Sequence, residues 1–170
     1  MQSYQIIPLT TTDEPLLAEM MYQAIFVPAG AEPPPWTVLD EPTLRKYFHA
    51  FGTMAGDIGV KAIDAQTEQA VGAAWVRLFQ GDNQGYGHVN DETPELSIAV
   101  DPAYRGQGIG TQLLEALFAA VAQEYKAVSL SVWPANPAYQ LYQRLGFTVV
   151  KRDEQSPAVT MIKSFDGKIV

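Results

Sequence analysis

Cysteine is absent from the 170 residues of this chain. That excludes disulfides, thiolate metal sites and a cysteine nucleophile, and leaves the redox compartment open. Histidine is almost absent as well: with only His49 and His88, no metal site is expected. Basic residues are few and scattered, 11 Lys and Arg against 19 Asp and Glu, for a net charge of −8. A phosphate backbone needs a clustered basic surface, so no nucleic-acid partner is expected, and any anionic ligand must find a local basic site. The acidic balance is consistent with a cationic amine as a substrate, although a solvated acidic surface is the commoner explanation. No run approaches the ~18 apolar residues of a membrane span. Met1-Gln-Ser-Tyr-Gln lacks the basic start and apolar core of a signal peptide. The expectation is a cytoplasmic protein with no membrane partner. Repeats, low-complexity tracts and long linkers are also missing, so residues 1–170 are expected to form one domain, long enough to bury a core without staples.

What is present centres on Asp101-Pro-Ala-Tyr-Arg105-Gly-Gln-Gly108-Ile-Gly110, which lies between an apolar run, Leu96 to Val100, and an amphipathic segment beginning near Thr111. The order reads strand, glycine-rich turn, helix. The first N–H groups of a helix lack internal partners, and the helix dipole puts partial positive charge there; a phosphate satisfies both. Glycines at 106, 108 and 110 remove the Cβ atoms that would hold an anion off the backbone, and Arg105 adds a permanent charge suited to phosphate oxygens. Two other nucleotide loops are excluded. No Gly-Lys-Ser or Gly-Lys-Thr occurs, and the dinucleotide fingerprint fails because Thr111 and Leu113 stand where its third glycine would be.

Arg105-x-x-Gly108-x-Gly110 after a short strand resembles the acetyl-coenzyme A loop of the GNAT superfamily, the Gcn5-related N-acetyltransferases. A second segment, Asn136-Pro-Ala-Tyr-Gln-Leu-Tyr142-Gln-Arg-Leu-Gly146-Phe147, resembles the stretch that follows the fifth strand in that family. The resemblance implies an α/β (α+β) fold: a mixed, mostly antiparallel sheet of six to seven strands flanked by about four helices, splayed between the fourth and fifth strands. It implies acetyl-CoA as cosubstrate and a primary amine as acceptor, a small molecule or a peptide or protein N-terminus. The coenzyme would be held by the strand end Ile98, Ala99 and Val100, by the loop Arg105, Gly106, Gln107, Gly108, Ile109 and Gly110, and by Asn136 and Tyr142. Tyr142 would be the acid that protonates the leaving thiolate, its free pKa of ~10 being close to that of an alkyl thiol. For the base, Glu95 at the start of the strand beside the loop is the best-placed carboxylate, acting directly or through water; the corresponding place on the next strand, near Ser131, has none. Arg144 could reach the coenzyme phosphates or simply be solvated. The alternatives are a coenzyme-binding sensor module without turnover, or a transferase using another acyl-CoA or nucleophile. Oligomeric state stays open, homodimers being common in the family.

Read in order, the chain predicts a strand at Tyr4 to Leu9, capping residues at Thr10 to Asp13, and a helix carrying Leu16, Leu17, Met20, Met21, Ala24 and Ile25. Four prolines make Val27 to Thr37 a stiff loop, with Glu32 and Trp36 as candidate acceptor contacts. A second helix is expected after Asp40, with Leu44, Tyr47, Phe48 and Phe51 along one face. A hairpin follows, Ile58 to Ile63 and Ala70 to Phe79, in which Arg77 faces either substrate or solvent. The polar loop Gln80 to Pro94, holding Tyr86 and His88, is expected to border the acceptor site. Asn136 caps a short helix whose inward stripe includes Tyr142, and Gly146 is its left-handed stop.

Overall fold

The computed structural model describes residues 3–165; Met1, Gln2 and residues 166–170, which the single-domain expectation includes, lie outside them. Seven strands form one sheet: β1 (Tyr4–Pro8), β2 (Ile58–Asp64), β3 (Ala70–Arg77), β4 (Glu95–Val100), β5 (Ala127–Val132), β6 (Thr148–Arg152) and β7 (Val159–Ser164). Their spatial order is β1-β2-β3-β4-β5-β7-β6. Every neighbouring pair is antiparallel except β4–β5. The helices are α1 (Glu14–Ala24), α2 (Pro42–Arg45), α3 (Ile109–Val121) and α4 (Ala138–Arg144). This is the mixed, mostly antiparallel seven-stranded architecture expected.

β3 shows why the sheet is sandwiched. Its residues are buried from Val71 to Arg77, so it reads as a continuous apolar run rather than an alternating one. Successive side chains nevertheless go to opposite faces. Ala73 and Trp75 join Leu17 and Met20 of α1 with Leu39, Phe48 and Phe51, whereas Ala74 and Val76 meet Leu113, Leu114, Leu117 and Val121 of α3. The stripe expected on α3 is therefore its sheet-facing side.

The second helix is much shorter than the apolar spacing predicts. α2 is a single turn, and the chain continues to Phe51 in tighter turns. The carbonyls that would carry the helix onward are taken by β3 side chains. Trp75 Nε1 donates to Tyr47 O at 2.7 Å, and the Arg77 guanidinium donates to the carbonyls of Lys46, His49 and Ala50. Tyr47, Phe48 and Phe51 are still buried, so the stripe serves the core without a long helix. Arg77 faces neither substrate nor solvent, in contrast to both expectations. Its side chain is 2% exposed and pairs with Asp57, 1% exposed, through both carboxylate oxygens at 2.9 and 3.0 Å. Removing one partner of such a buried pair typically costs about 3–5 kcal/mol, so this pair pins the segment before β2 to the sheet.

Thr10 and Asp13 form a capping box on a short 3-10 turn leading into α1, and Asp13 also meets Lys61 of β2 at 2.8 Å. Asn136 caps α4 as expected, its Oδ1 accepting from Ala138 N at 3.0 Å.

Candidate functional site

The parallel pair β4–β5 is bonded only where Glu95 faces Ser129. Ser129 N donates to Pro94 O at 3.0 Å just below that point. Beyond it the strands diverge. The other edge of β4 is paired to β3 along its whole length, so past Glu95 the edge that faces the gap is bonded by no strand among the described residues and is open to a ligand, Val100 O alone being taken there by Arg105 Nε.

Two clefts open from this splay. One, of about 610 Å³, lies between the end of α1 with its following segment and the start of α4; Ile98, Ala99, Val100, Arg105, Gly110, Asn136 and Tyr142 line it. The other, of about 340 Å³, reaches towards Tyr47, Tyr86 and Glu95. Both share Ile98, Asn136 and Tyr142 with the α1 end, Ala24 to Phe26. Tyr142 therefore stands at the junction. It is 8% exposed, its hydroxyl has no hydrogen-bond partner among the described residues, and burial pushes its pKa up to about 12. At neutral pH it is a protonated phenol with no acceptor among the described residues.

Next to the larger cleft, a hollow of about 290 Å³ is lined by Tyr104, Arg105, Gly106, Gly108, Ile109, Gly110 and Arg144, among others. Gly106 and Gly108 have φ of +78° and +81°, a left-handed backbone that residues with a Cβ rarely adopt, and a Cβ on either would meet no atom within 4 Å. The N–H groups of Gly106, Gln107 and Gly108 have no acceptor among the described residues. Gly108 is the N-cap of α3. Arg105 Nε is fixed by Val100 O at 3.1 Å, leaving its terminal NH2 groups free of protein partners among the described residues. Open backbone donors, a thirteen-residue helix start and two guanidinium groups suit a diphosphate. Arg144 lines the hollow and is solvent-exposed as well, so both of its alternatives stand. Gln107 does not line it: its side chain accepts from the Tyr4 hydroxyl and faces β1.

Glu95 lies in the second cleft, 3% exposed. Its Oε1 accepts from the Tyr47 hydroxyl at 2.9 Å and Gly87 N at 2.8 Å; its Oε2 accepts from Gly85 N at 3.0 Å. Two carboxylate oxygens offer about four acceptor sites, so one remains. Burial pushes the Glu95 pKa above the usual carboxylate range, opposed by the bonds from Gly87, Tyr47 and Gly85 and by nearby His88. Burial and the Glu95 charge likewise push the Tyr47 phenol upward.

Sequence reasoning missed this clamp. Tyr47 was a core-stripe residue, and Gly85 and Gly87 were two glycines in a polar loop. A Cβ at Gly85 would stand 2.2 and 2.4 Å from the Glu95 oxygens and 2.4 Å from the Tyr47 hydroxyl, so only glycine lets the loop reach the carboxylate. The pair Gly85-Tyr-Gly87 was the available signal, meaningful only once Glu95 is beneath it. Tyr86 does border the cleft, as expected of its loop, whereas His88 does not line it. Glu32 and Trp36 line neither cleft: Trp36, 54% exposed, packs on the Tyr22 ring at 5.2 Å, and it is Pro34 that reaches the larger cleft. No group of three or more His, Asp or Glu residues among the described residues is placed to hold a metal ion.

The comparisons agree with this geometry. Residues 60–149, just over half of the chain, match the model of the acetyltransferase (GNAT) domain. An N-alpha-acetyltransferase of Sulfurisphaera tokodaii is 47% identical over 68 residues, which are 38% of this chain and 37% of that protein. The chain thus spans little more than a third of that relative's length. The PaiA N-acetyltransferase of Thermoplasma acidophilum, solved in complex with coenzyme A, has a TM-score of 0.67 at 17% identity and covers 96% of this chain and 99% of that one. An acetyltransferase of Thermus thermophilus has a TM-score of 0.65 at 22% identity, covering 97% and 100%. With the splayed sheet, the glycine cradle at the start of α3 and the domain match in accord, the chain belongs to the GNAT family of acetyltransferases.

Proposed function

We propose that this protein transfers the acetyl group of acetyl-CoA to a primary amine by direct attack. The observation that carries the reading is the meeting of two clefts at Tyr142, with a phosphate cradle at the far end of one and a buried carboxylate in the other. A coenzyme A complex of the structurally similar Thermoplasma protein supports the choice of cosubstrate. Acetyl-CoA supplies the acetyl group as an activated thioester.

The chain's own residues do the rest. Arg105, Arg144 and the amides of residues 106–110 hold the diphosphate, and the open edge at Ile98 to Val100 bonds the amide-bearing arm as an added strand would. Asn136, committed through Oδ1 to capping α4, keeps its NH2 for the arm. As the amine nitrogen bonds the carbonyl carbon and the carbon–sulfur bond breaks, Tyr142 gives its proton to sulfur. The remaining acceptor site of Glu95 takes the proton that the nitrogen sheds, directly or through water. Positioning both reactants at one junction supplies much of the rate.

A second reading, transfer to a peptide α-amine, is favoured by the name of the Sulfurisphaera relative. The test is amine-dependent release of coenzyme thiol by the wild type and by Tyr142→Phe. Positioned acids contribute about 10²–10⁴-fold, so kcat should drop by that range while the KM for acetyl-CoA is kept. Full turnover in Tyr142→Phe would remove Tyr142 from the mechanism.

A further inference from the structure

The 340 Å³ cleft is lined mainly by aromatic and aliphatic side chains, with Ser97, Ser131, Ser156 and Asn136 as uncharged polar groups, and Glu95 is its only charged lining group among the described residues. Two aromatic pairs frame it. Phe26, after α1, meets Trp133, after β5, edge-on at 5.9 Å, and Tyr47 stacks on Tyr86 at 6.3 Å with planes 5° apart. Met21 and Leu44 complete the apolar wall. From this lining, and resting on the amine-transfer reading, we infer that the acceptor is a small arylalkylamine: a primary amine on an uncharged aromatic body, without a carboxylate next to the nitrogen.

An ammonium approaching the junction is drawn by the carboxylate of Glu95 and by ring faces. The body behind it gains by leaving water for an apolar wall. An α-amino acid carries the same body but fixes a carboxylate two bonds from the nitrogen. That anion is desolvated at the Glu95 end, where no lysine or arginine lines the cleft. Lys151 and Arg152 lie outside it, in a separate hollow that shares only Tyr86 with this cleft and also holds Asp153 and Glu154. A polyamine gains less for the converse reason: the one carboxylate that lines the cleft meets one ammonium, and the second leaves water with only ring faces and no carboxylate in its place.

Matched pairs isolate the carboxylate. Thiol release from acetyl-CoA is measured with phenethylamine against phenylalanine and with tryptamine against tryptophan, alongside spermidine and a short peptide with a free amino terminus. The expected result is a kcat/KM at least about tenfold higher for each amine than for its amino acid, equivalent to about 1.4 kcal/mol, and higher than for spermidine or the peptide. Trp133→Ala should lower the kcat/KM for tryptamine by a similar factor with the KM for acetyl-CoA unchanged. Equal or better turnover of an amino acid, spermidine or the peptide overturns the acceptor class and leaves acetyl transfer standing. Thiol release with no amine at all, from a protein whose melting temperature acetyl-CoA still raises, overturns the acceptor class and the amine-transfer reading together.

Discussion

Glu95 combines two demands that usually separate. It anchors Gly85, Gly87 and Tyr47, yet burial raises its proton affinity and one acceptor site stays open. If it takes the amine proton, kcat should fall on the acid side with an apparent pKa above the ordinary 4.5, and this limb should vanish in Glu95→Gln. His88 and the Tyr47 phenol are the titratable groups facing it. The folded value lies above the unfolded one, so the folded state binds this proton more tightly. The resulting stabilisation is present at acid pH and is lost as pH rises through the folded value. Asp13, buried but bonded to Lys61 and Thr10, and Glu14, bonded to Ala50 N, shift the other way, and their contributions fade only below the ordinary carboxylate range. Melting temperatures should therefore not fall, and if anything rise, as pH drops across the Glu95 limb; a fall in melting temperature that tracks the fall in kcat would assign the limb to unfolding instead.

Among the elements, the 80–94 loop shows how little of the acceptor side is regular structure. It is placed by Gly85 and Gly87 on Glu95, by the Tyr47 hydroxyl accepting from Tyr86 N at 2.7 Å, and by Ser129 Oγ donating to Gly87 O at 2.7 Å. Gly85→Ala forces the loop away from the carboxylate by its Cβ contacts of 2.2 to 2.4 Å. We expect the KM for the amine to rise about tenfold, since small misplacements are costly in a reacting pair, while the KM for acetyl-CoA stays unchanged because the cradle is at the other end of the splay. Steady-state kinetics with each substrate varied in turn decides it. The loop's polar composition made its exposure legible, and Tyr86 brings it to the border of the smaller cleft. The clamp was not, because it joins residues 47, 85, 87 and 95, which share no local period.

At the scale of the molecule, the net charge of −8 makes the cradle a local exception: Arg105 and Arg144 converge on three glycines. Binding there should stabilise the whole fold by mass action. At a hundredfold excess over Kd the gain is about 2.7 kcal/mol, which for a chain of this size raises the melting temperature by about 5–10 °C. Acetyl-CoA should produce that shift in a thermal melt, and the same concentrations of NAD or ATP should not. Equal shifts with all three would reduce the cradle to a generic phosphate site, and Arg105→Ala should diminish the acetyl-CoA shift in either case.

The sequence alone determined the glycine-rich turn between β4 and α3, the order of strand and helix around it, and the inward face of α4 with Tyr142, because each is written in turn chemistry or in a period of two or 3.6 residues. Only the tertiary structure decided what crosses between elements. It turned Arg77 from a candidate for substrate or solvent into a buried partner of Asp57, cut the second helix to one turn by giving its carbonyls to Trp75 and Arg77, placed Glu32 and Trp36 outside the lining of both clefts, and set Glu95 under two glycines. Those outcomes depend on which distant groups compete for the same hydrogen bonds and the same buried space, and no local pattern along the chain records that competition.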